Sequence, residues 1–135
     1  MKKFTVLLIS FFLFNCANNS VVNSCFSGVV MNETINLSNP QFIDIQVPGG
    51  YTYVSLGGRN LLIIRRTDSS FKAYDRQCPE RDCSSSMTFD GLKLICPCSD
   101  KEYNSLNGSP LDGEGCFALE YTTILVSDST LQISI

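Results

Sequence analysis

The sequence predicts an all-β fold, and three features of its pattern lead to this prediction. Short stretches rich in β-branched and aromatic residues recur along the chain, and turns rich in glycine, asparagine, aspartate and serine separate them. In the stretch 43–47, apolar and polar residues alternate as in a strand with one buried face. Beyond residue 15, no segment of useful length carries apolar residues at helical spacing. These features favour an antiparallel sandwich or barrel.

Four strands are predicted in the first half of the chain. The alternating stretch 43–47 ends at Pro48-Gly49-Gly50, which cannot continue a strand. The stretch 51–56 is rich in residues that favour strands, and a glycine-containing turn follows it. Residues 61–66 begin with an unbroken apolar run, which indicates burial on both faces of a third strand. A polar turn then leads into a short strand at residues 71–75.

The second half of the chain continues the same pattern. Residues 87–89 and 92–95 flank Asp90-Gly91, a dipeptide that accepts the positive backbone angles of a tight hairpin turn. The remaining predicted elements are a hairpin at residues 103–109, a glycine-rich loop at residues 110–115, and strands at residues 117–126 and 131–135.

The beginning of the chain has the pattern of an export signal. Met1-Lys2-Lys3 precedes an apolar run that ends at Phe14, which is too short to cross a bilayer as a helix and is typical of a secretory signal peptide. The sequence Leu13-Phe14-Asn15-Cys16 resembles a bacterial lipobox, in which the chain is cut before a cysteine that is then acylated. The alternative is ordinary secretion with a free or paired Cys16.

These observations give a predicted organisation of the chain. Residues 1–15 are the signal peptide, residues 16–39 are a lipidated start and tether, and residues 40–135 are one folded domain. The lipid on Cys16 would anchor the protein to a bacterial membrane. The expected location is the periplasmic side of the outer membrane.

Composition excludes several classes of function. The formal net charge is −3, and no basic cluster is present, which argues against nucleic acid as a partner. The chain contains no histidine, so it has no imidazole base, no Ser-His or Cys-His pair and no zinc-histidine site. The sequence therefore leans against an enzyme.

Cysteine is the most informative residue type. The chain has seven cysteines, and disulfides persist in exported proteins. If Cys16 carries lipid, the other six can all pair. Four of them form two boxes, Cys78-Pro79-Glu80-Arg81-Asp82-Cys83 and Cys96-Pro97-Cys98-Ser99, which the hairpin around Asp90-Gly91 separates. The boxes are expected to be the tips of two loops that face each other.

This layout resembles the Rieske domain over about residues 40–135, and among its members the Rieske-like lipoproteins of the Bacteroidetes type. A Rieske cluster is held by two cysteine thiolates and two histidines. The resemblance places Cys78 and Cys96 at the thiolate positions, and it places Glu80 and Ser99 where the histidines would stand. A carboxylate and a hydroxyl are poor substitutes for imidazole, so we expect no conventional 2Fe-2S cluster.

The resemblance also implies a disulfide pairing. Cys83 and Cys98 correspond to cysteines that are bridged in the Rieske proteins of respiratory complexes. Without a cluster, Cys78 and Cys96 would lie near enough to bond to each other. Cys25 and Cys116 are left by elimination, and the sequence leaves their pairing open; a bond between them would hold the glycine-rich loop beside the boxes.

The sequence supports three functional hypotheses. The first is a Rieske-like binding or structural module that is locked by disulfides, has no cofactor, and binds a periplasmic partner through the rim at residues 79–82, 99–102 and 110–115. The second is an electron-transfer protein with a redox partner and an atypical 2Fe-2S cluster. Its ligands would be drawn from Cys78, Glu80, Cys96 and Ser99, or from all four box cysteines. The third is a thiol–disulfide switch at Cys78 and Cys96.

Overall fold

The computed structural model describes residues 25–135. The predicted signal peptide at residues 1–15, the lipidation at Cys16 and the tether up to residue 24 lie outside the described residues. Within the described range, none of the helical structure is long and apolar enough to reach across a bilayer.

Nine strands and one short 3-10 helix make up the regular structure of residues 25–135. In chain order they are β1 (Asn32–Asn36), the 3-10 helix (Pro40–Ile45), β2 (Tyr51–Leu56), β3 (Arg59–Arg65), β4 (Phe71–Asp75), β5 (Thr88–Phe89), β6 (Lys93–Ile95), β7 (Glu102–Asn104), β8 (Glu120–Ser127) and β9 (Thr130–Ser134). This content confirms the all-β prediction.

The strands form two antiparallel sheets. The larger sheet has six strands in the order β1-β9-β8-β4-β3-β2. The smaller sheet has three strands in the order β5-β6-β7, and it is inserted in the chain between the neighbouring strands β4 and β8. The first cysteine box lies between β4 and β5, and the second lies between β6 and β7. The small sheet therefore holds both cysteine loops.

Strand β3 joins two hydrophobic cores. Leu61 and Ile63 lie in the core of the large sheet, whereas Leu62 and Ile64 lie in a second core that includes the small sheet. All four side chains are at most 2% exposed, which confirms the predicted burial on both faces. Each of them contributes roughly 1.5–3 kcal/mol through the apolar surface that it removes from water. This strand fixes the small sheet and its loops against the large sheet.

The second core contains three cysteines of the two boxes. Its members are Leu62, Ile64, Tyr74, Cys78, Cys83, Met87, Phe89, Leu94, Cys96, Tyr103 and Ala118. The cysteine sulfurs are thus packed among apolar side chains.

The prediction of a strand at residues 43–47 is wrong. Residues 43–45 are the second half of the 3-10 helix Pro40–Ile45, which has Asn39 as its N-cap and Pro40 in its first turn. The Asn39 side chain accepts a hydrogen bond from Gln41 N at 3.2 Å. Phe42 and Ile45 are the buried residues, and their spacing of three matches a 3-10 turn. A proline and a capping asparagine just before the segment overrode the alternation of apolar residues.

The predicted domain start at residue 40 is also too late. Strand β1 pairs along its whole length with β9, from Asn32 opposite Ser134 to Asn36 opposite Thr130. Met31 and Ile35 are buried in the core of the large sheet. The described part of the predicted tether therefore belongs to the folded domain.

The other strands agree with the predicted ones apart from their ends. Strand β3 begins earlier, at Arg59, and β8 begins later, at Glu120. The predicted hairpin at residues 103–109 is a turn that the bridge between Tyr103 and Pro110 closes. The Asp90-Gly91 turn is present, with Gly91 at φ 101°.

Candidate functional site

The two cysteine loops are closed at their bases by backbone hydrogen bonds. In the first loop, Met87 N donates to Arg76 O at 2.6 Å. In the second loop, Cys96 N donates to Lys101 O at 2.9 Å. Each loop also contains a non-glycine residue in the left-handed region, Arg81 at φ 57° and Asp100 at φ 54°. Such tight turns hold the cysteines of each box at a defined distance from each other.

Three disulfides join the six described cysteines, which confirms the expectation of disulfides. Cys78 pairs with Cys96, and their Cα atoms are 5.6 Å apart. Cys83 pairs with Cys98 at the same Cα separation of 5.6 Å. Both bonds run from one box to the other, so the two loops are linked twice. The third disulfide joins Cys25 to Cys116 and ties the segment before β1 to the end of the glycine-rich loop.

The two bonds between the boxes lie against each other. The Sγ atoms of Cys78, Cys83 and Cys96 lie within 4.8 Å of one another. These three side chains are 0%, 8% and 1% exposed, whereas Cys98 is exposed. The carbonyl oxygen of Ser85 lies 3.5 Å from the sulfur of Cys83 and 3.9 Å from the sulfur of Cys78. The four cysteines of the boxes thus form a sulfur group in which three residues are buried and only Cys98 is exposed.

Glu80 and Lys101 connect the two loops with the glycine-rich loop. Lys101 Nζ lies 3.3 Å from Glu80 Oε1 and 3.5 Å from Asp112 Oδ2. The same Glu80 oxygen accepts a hydrogen bond from Cys116 N at 3.2 Å. Burial alone would lower the pKa of Lys101, but the two carboxylates outweigh it and raise that pKa above its usual value. Lys101 is therefore held as a cation at the meeting point of three segments.

Gly115 allows the glycine-rich loop to approach this ion pair. Its φ is +93°, and a Cβ at this position would clash with Glu80 Oε1 and would lie 2.8 Å from Lys101 Nζ. Only glycine combines this backbone angle with such a close approach. The Cys25–Cys116 disulfide and Gly115 together keep the loop over the cysteine boxes.

Tyr103 places an unpaired hydroxyl in the site. Its side chain is 0% exposed, and no residue between 25 and 135 forms a hydrogen bond with its hydroxyl. Burial raises the pKa of Tyr103 to about 12, and the negative charges of Glu80, Asp82 and Asp112 add to this effect. The hydroxyl is therefore a buried donor without an acceptor, close to the acidic residues of the loops.

A further network supports the start of the first loop. The buried carboxylate of Asp75 pairs with Arg59 and accepts hydrogen bonds from Tyr121 Oη at 2.7 Å and from Gln77 N at 2.8 Å. The hydrogen bond to Asp75 raises the pKa of Arg59. Sequence reasoning missed this network. Its one signal was a carboxylate at the end of strand β4, three residues before Cys78.

Among the residues that the sequence singled out, the structure brings Cys78, Cys83, Cys96 and Cys98 together and places Glu80 beside them. Ser99 is exposed and lines a cleft of about 480 Å³ at the edge of the site, with Lys101 and Leu111. It shares no described contact with the sulfur group.

The residues of this site do not fit a histidine-ligated iron–sulfur cluster. The chain contains no histidine. The sulfurs of Cys78 and Cys96 are bonded to each other, so neither is a thiolate that could bind iron. The carboxylate of Glu80 is engaged by Lys101 and by the backbone of Cys116.

Comparisons with known proteins identify the fold. In solved structures, a small subunit of an NADH-dependent nitrite reductase from Mycobacterium tuberculosis is similar, with a TM-score of 0.51, 16% identity, and coverage of 79% of this chain and 96% of that chain. The NirD protein of Escherichia coli is similar with a TM-score of 0.51, 15% identity, and coverage of 79% of this chain and 98% of that chain. At this level of identity, the similarities establish the fold alone. A search of curated protein sequences gave no significant match.

The family is given by a direct match of the sequence. Residues 41–120 match the family described as the Rieske [2Fe-2S] domain. This range is more than half of the chain, and it includes both cysteine boxes and the whole small sheet. The chain belongs to the Rieske [2Fe-2S] domain family.

Proposed function

We propose that this protein is a Rieske scaffold without a conventional cluster, which acts as a disulfide-stabilised binding or structural module. The observation that carries the proposal is the Cys78–Cys96 disulfide, because it uses both sulfurs that a Rieske cluster needs as thiolates. In this proposal, Glu80 and Ser99 occupy the positions of the two histidine ligands. Neither side chain supplies a nitrogen donor.

The disulfides take over the mechanical role of the cluster. In a Rieske protein the metal centre holds two loops together, because each loop supplies ligands. Here two covalent bonds cross between the same loops, and the ion pair between Glu80 and Lys101 adds a third connection. The loops are thereby rigid enough to present a fixed surface without a metal.

We place the binding surface on the rim formed by residues 79–82, 99–102 and 110–115. Its three segments meet at Lys101, which contacts Glu80 and Asp112. Leu111 is 51% exposed beside this acidic group, so the rim combines an apolar contact with charge. Loops on a rigid sheet are where binding sites concentrate. The expected partner is another protein of the same compartment.

The proposal includes export and anchoring by lipid. The apolar run that ends at Phe14 and the lipobox-like sequence before Cys16 support cleavage and acylation. A lipid on Cys16 would place the domain at the periplasmic side of the outer membrane. Globomycin treatment, which blocks lipoprotein signal cleavage, tests this part: accumulation of an uncut precursor supports it, and normal processing contradicts it.

Iron and acid-labile sulfide analysis of the full chain, purified without air from its own host, tests the absence of a conventional cluster. We expect less than one tenth of an iron per chain and no visible absorption band. Two irons and two sulfides per chain would contradict the proposal. A Cys78→Ser/Cys96→Ser variant is the control, since loss of iron in that variant would assign any bound metal to these cysteines.

A second candidate is electron transfer through an atypical 2Fe-2S cluster. Two observations favour it: the close approach of three sulfurs in a buried site, and the unpaired hydroxyl of Tyr103 in the same core. Four cysteine thiolates can hold such a cluster. This candidate requires that both disulfides between the boxes be absent in the host. Alkylation of the native protein in denaturant distinguishes the two, because it labels the box cysteines only if they are free.

A further inference from the structure

The two disulfides between the boxes differ in their access to solvent. Cys98 is exposed, whereas Cys78 and Cys96 are 0% and 1% exposed. Cys83 is buried and lies between the exposed Cys98 and the buried pair. Its sulfur is bonded to Cys98 and is within 4.8 Å of the sulfurs of Cys78 and Cys96. A thiol–disulfide exchange needs only a thiolate that can reach a disulfide sulfur. Cys83 is bonded to an exposed cysteine that a reductant can reach, and its sulfur lies close to the buried disulfide that its thiolate would attack.

We propose that the exposed Cys83–Cys98 disulfide passes reducing equivalents to the buried Cys78–Cys96 disulfide, with Cys83 as the sulfur that exchanges. The external reductant is a dithiol, either a small molecule or a protein. One of its thiolates attacks Cys98 Sγ, forms a mixed disulfide there, and releases Cys83 as a thiolate. The second thiol of the reductant then frees Cys98 as a thiol and leaves as a disulfide. These steps transfer one electron pair to the protein.

The internal step moves a bond without further change in oxidation state. The thiolate of Cys83 attacks Cys96 Sγ, so that a Cys83–Cys96 bond forms and the Cys78–Cys96 bond breaks. Cys78 leaves as a thiolate and takes up the proton that the attacking thiol of the reductant gave to solvent. The product has one disulfide between the boxes and thiols at Cys78 and Cys98.

The carbonyl of Ser85 supports this choice of product. Its oxygen is 3.5 Å from the sulfur of Cys83 and 3.9 Å from the sulfur of Cys78. A thiol on either residue can therefore donate to the same acceptor. Because a buried thiol without an acceptor is disfavoured, this oxygen stabilises the chain both before and after the exchange. The described structure assigns no comparable carbonyl contact to Cys96.

This inference goes beyond the proposed function and can fail separately from it. The proposed function requires that Cys78 and Cys96 be bonded to each other in the oxidised protein. The exchange concerns the reduced protein, after a dithiol has opened the exposed disulfide. A protein whose two disulfides stay independent would contradict the exchange and leave the module intact.

Partial reduction of the full-length wild-type protein tests the exchange directly. Thiols in the purified protein are first blocked with N-ethylmaleimide, one equivalent of dithiothreitol is added, and the reaction is stopped with acid before new thiols are labelled with a second reagent. Trypsin separates Cys78 in peptide 77–81 and Cys83 in peptide 82–93 from Cys96 and Cys98, which share peptide 94–101 and are told apart by fragmentation in the mass spectrometer. We expect the new label on Cys78 and Cys98. Label on Cys83 and Cys98, with Cys78 still bonded to Cys96, would overturn the proposal.

Two matched variants remove the same disulfide from opposite ends. In Cys98→Ser, the freed Cys83 is expected to bond to Cys96 and leave Cys78 to be alkylated. In Cys83→Ser, the freed Cys98 is expected to be alkylated itself while the Cys78–Cys96 bond is retained. Exchange in both variants alike would contradict the role of Cys83, because it would show that any freed thiol scrambles the pairs. A Cys98→Ser protein alkylated only on Cys83 would also overturn the proposal.

Discussion

Cys25 and Cys116 are joined across a sequence separation of 91 residues, so that the segment before β1 is tied to the end of the glycine-rich loop. The bond encloses most of the described domain in one covalent ring. In the chain-entropy model, a disulfide stabilises more when it closes a longer loop, because it removes more freedom from the unfolded chain.

Removing this disulfide should destabilise the domain more than removing a disulfide between the boxes. A Cys25→Ser/Cys116→Ser variant should lose about 4.5 kcal/mol of unfolding free energy, and a Cys83→Ser/Cys98→Ser variant, which opens a separation of 15 residues, about 3 kcal/mol. Urea unfolding of both variants provides the comparison. Equal losses, or the reverse order, would contradict the assignment of Cys25–Cys116 as the main covalent tie.

Tyr103→Phe should stabilise the protein. The hydroxyl of Tyr103 has no hydrogen-bond partner in the described part of the chain, so its removal relieves a desolvation penalty of about 1 kcal/mol. Tyr51→Phe is the control, because Tyr51 is 37% exposed and should change the stability little. A loss of stability in Tyr103→Phe, measured by urea unfolding, would show that the hydroxyl has an acceptor.

The same residue gives a dependence of stability on pH. The pKa of Tyr103 is raised to about 12 in the folded protein, whereas a tyrosine in the unfolded chain has a pKa near 10. Ionisation of Tyr103 therefore leaves the free energy of unfolding unchanged below pH 10 and lowers it progressively as the pH rises through 12, because only the unfolded chain ionises readily in that range. Tyr103→Phe should lose stability less steeply than wild type between pH 10 and 12. Parallel curves for the two proteins would contradict this.

Substitutions at two glycines of the same loop distinguish the cost of a positive φ from the cost of a close contact. Gly113 and Gly115 both have positive φ, but only Gly115 faces Glu80 and Lys101, whereas nothing lies within 4 Å of a Cβ at Gly113. Gly113→Ala should cost about 1 kcal/mol through its backbone angle alone. Gly115→Ala should cost more than Gly113→Ala, because the flexible side-chain ends of Glu80 and Lys101 must also shift. Thermal unfolding of the two variants checks the difference, and equal effects would mean that the loop does not press on the ion pair.

Asp75→Asn should destabilise the first cysteine loop. The change removes the charge that balances the partly buried guanidinium of Arg59, which costs about 3 kcal/mol when one partner of a buried pair is lost. Tyr121→Phe removes a single hydrogen bond to the same carboxylate and should cost about 1 kcal/mol. Chemical denaturation ranks the two variants, and a neutral Asp75→Asn would show that the network does not support the loop.

The sequence was a good guide to most strands because their patterns are local. The apolar run of β3 and the Asp90-Gly91 turn each carry their own signal, and the structure has both. The stretch 43–47 misled because a short alternation cannot be told from the i, i+3 spacing of a 3-10 turn unless Pro40 and Asn39 are taken into account. Strand β1 was missed since its pairing with β9 joins the two ends of the domain.

The part of the site that a sequence motif defines could be predicted. The contacts that depend on how separate segments pack together could not. The two boxes and their hairpin place four cysteines in facing loops, and the resemblance supplied that arrangement. The ion pair of Glu80 with Lys101 and the clearance at Gly115 depend on how the glycine-rich loop lies on the boxes. The unpaired hydroxyl of Tyr103 depends on the second core in the same way. No local pattern encodes such contacts.

The central claim is that Cys78 and Cys96 are bonded to each other in the native protein and do not hold a metal. Peptide mapping by mass spectrometry tests it most directly, on protein taken from its own host, alkylated without reduction and cut with trypsin. We predict that peptide 77–81 is recovered in disulfide linkage to peptide 94–101, with no alkylated Cys78 and with fragmentation placing the bond on Cys96. Recovery of Cys78 and Cys96 as alkylated thiols, together with iron in the starting protein, would contradict the claim.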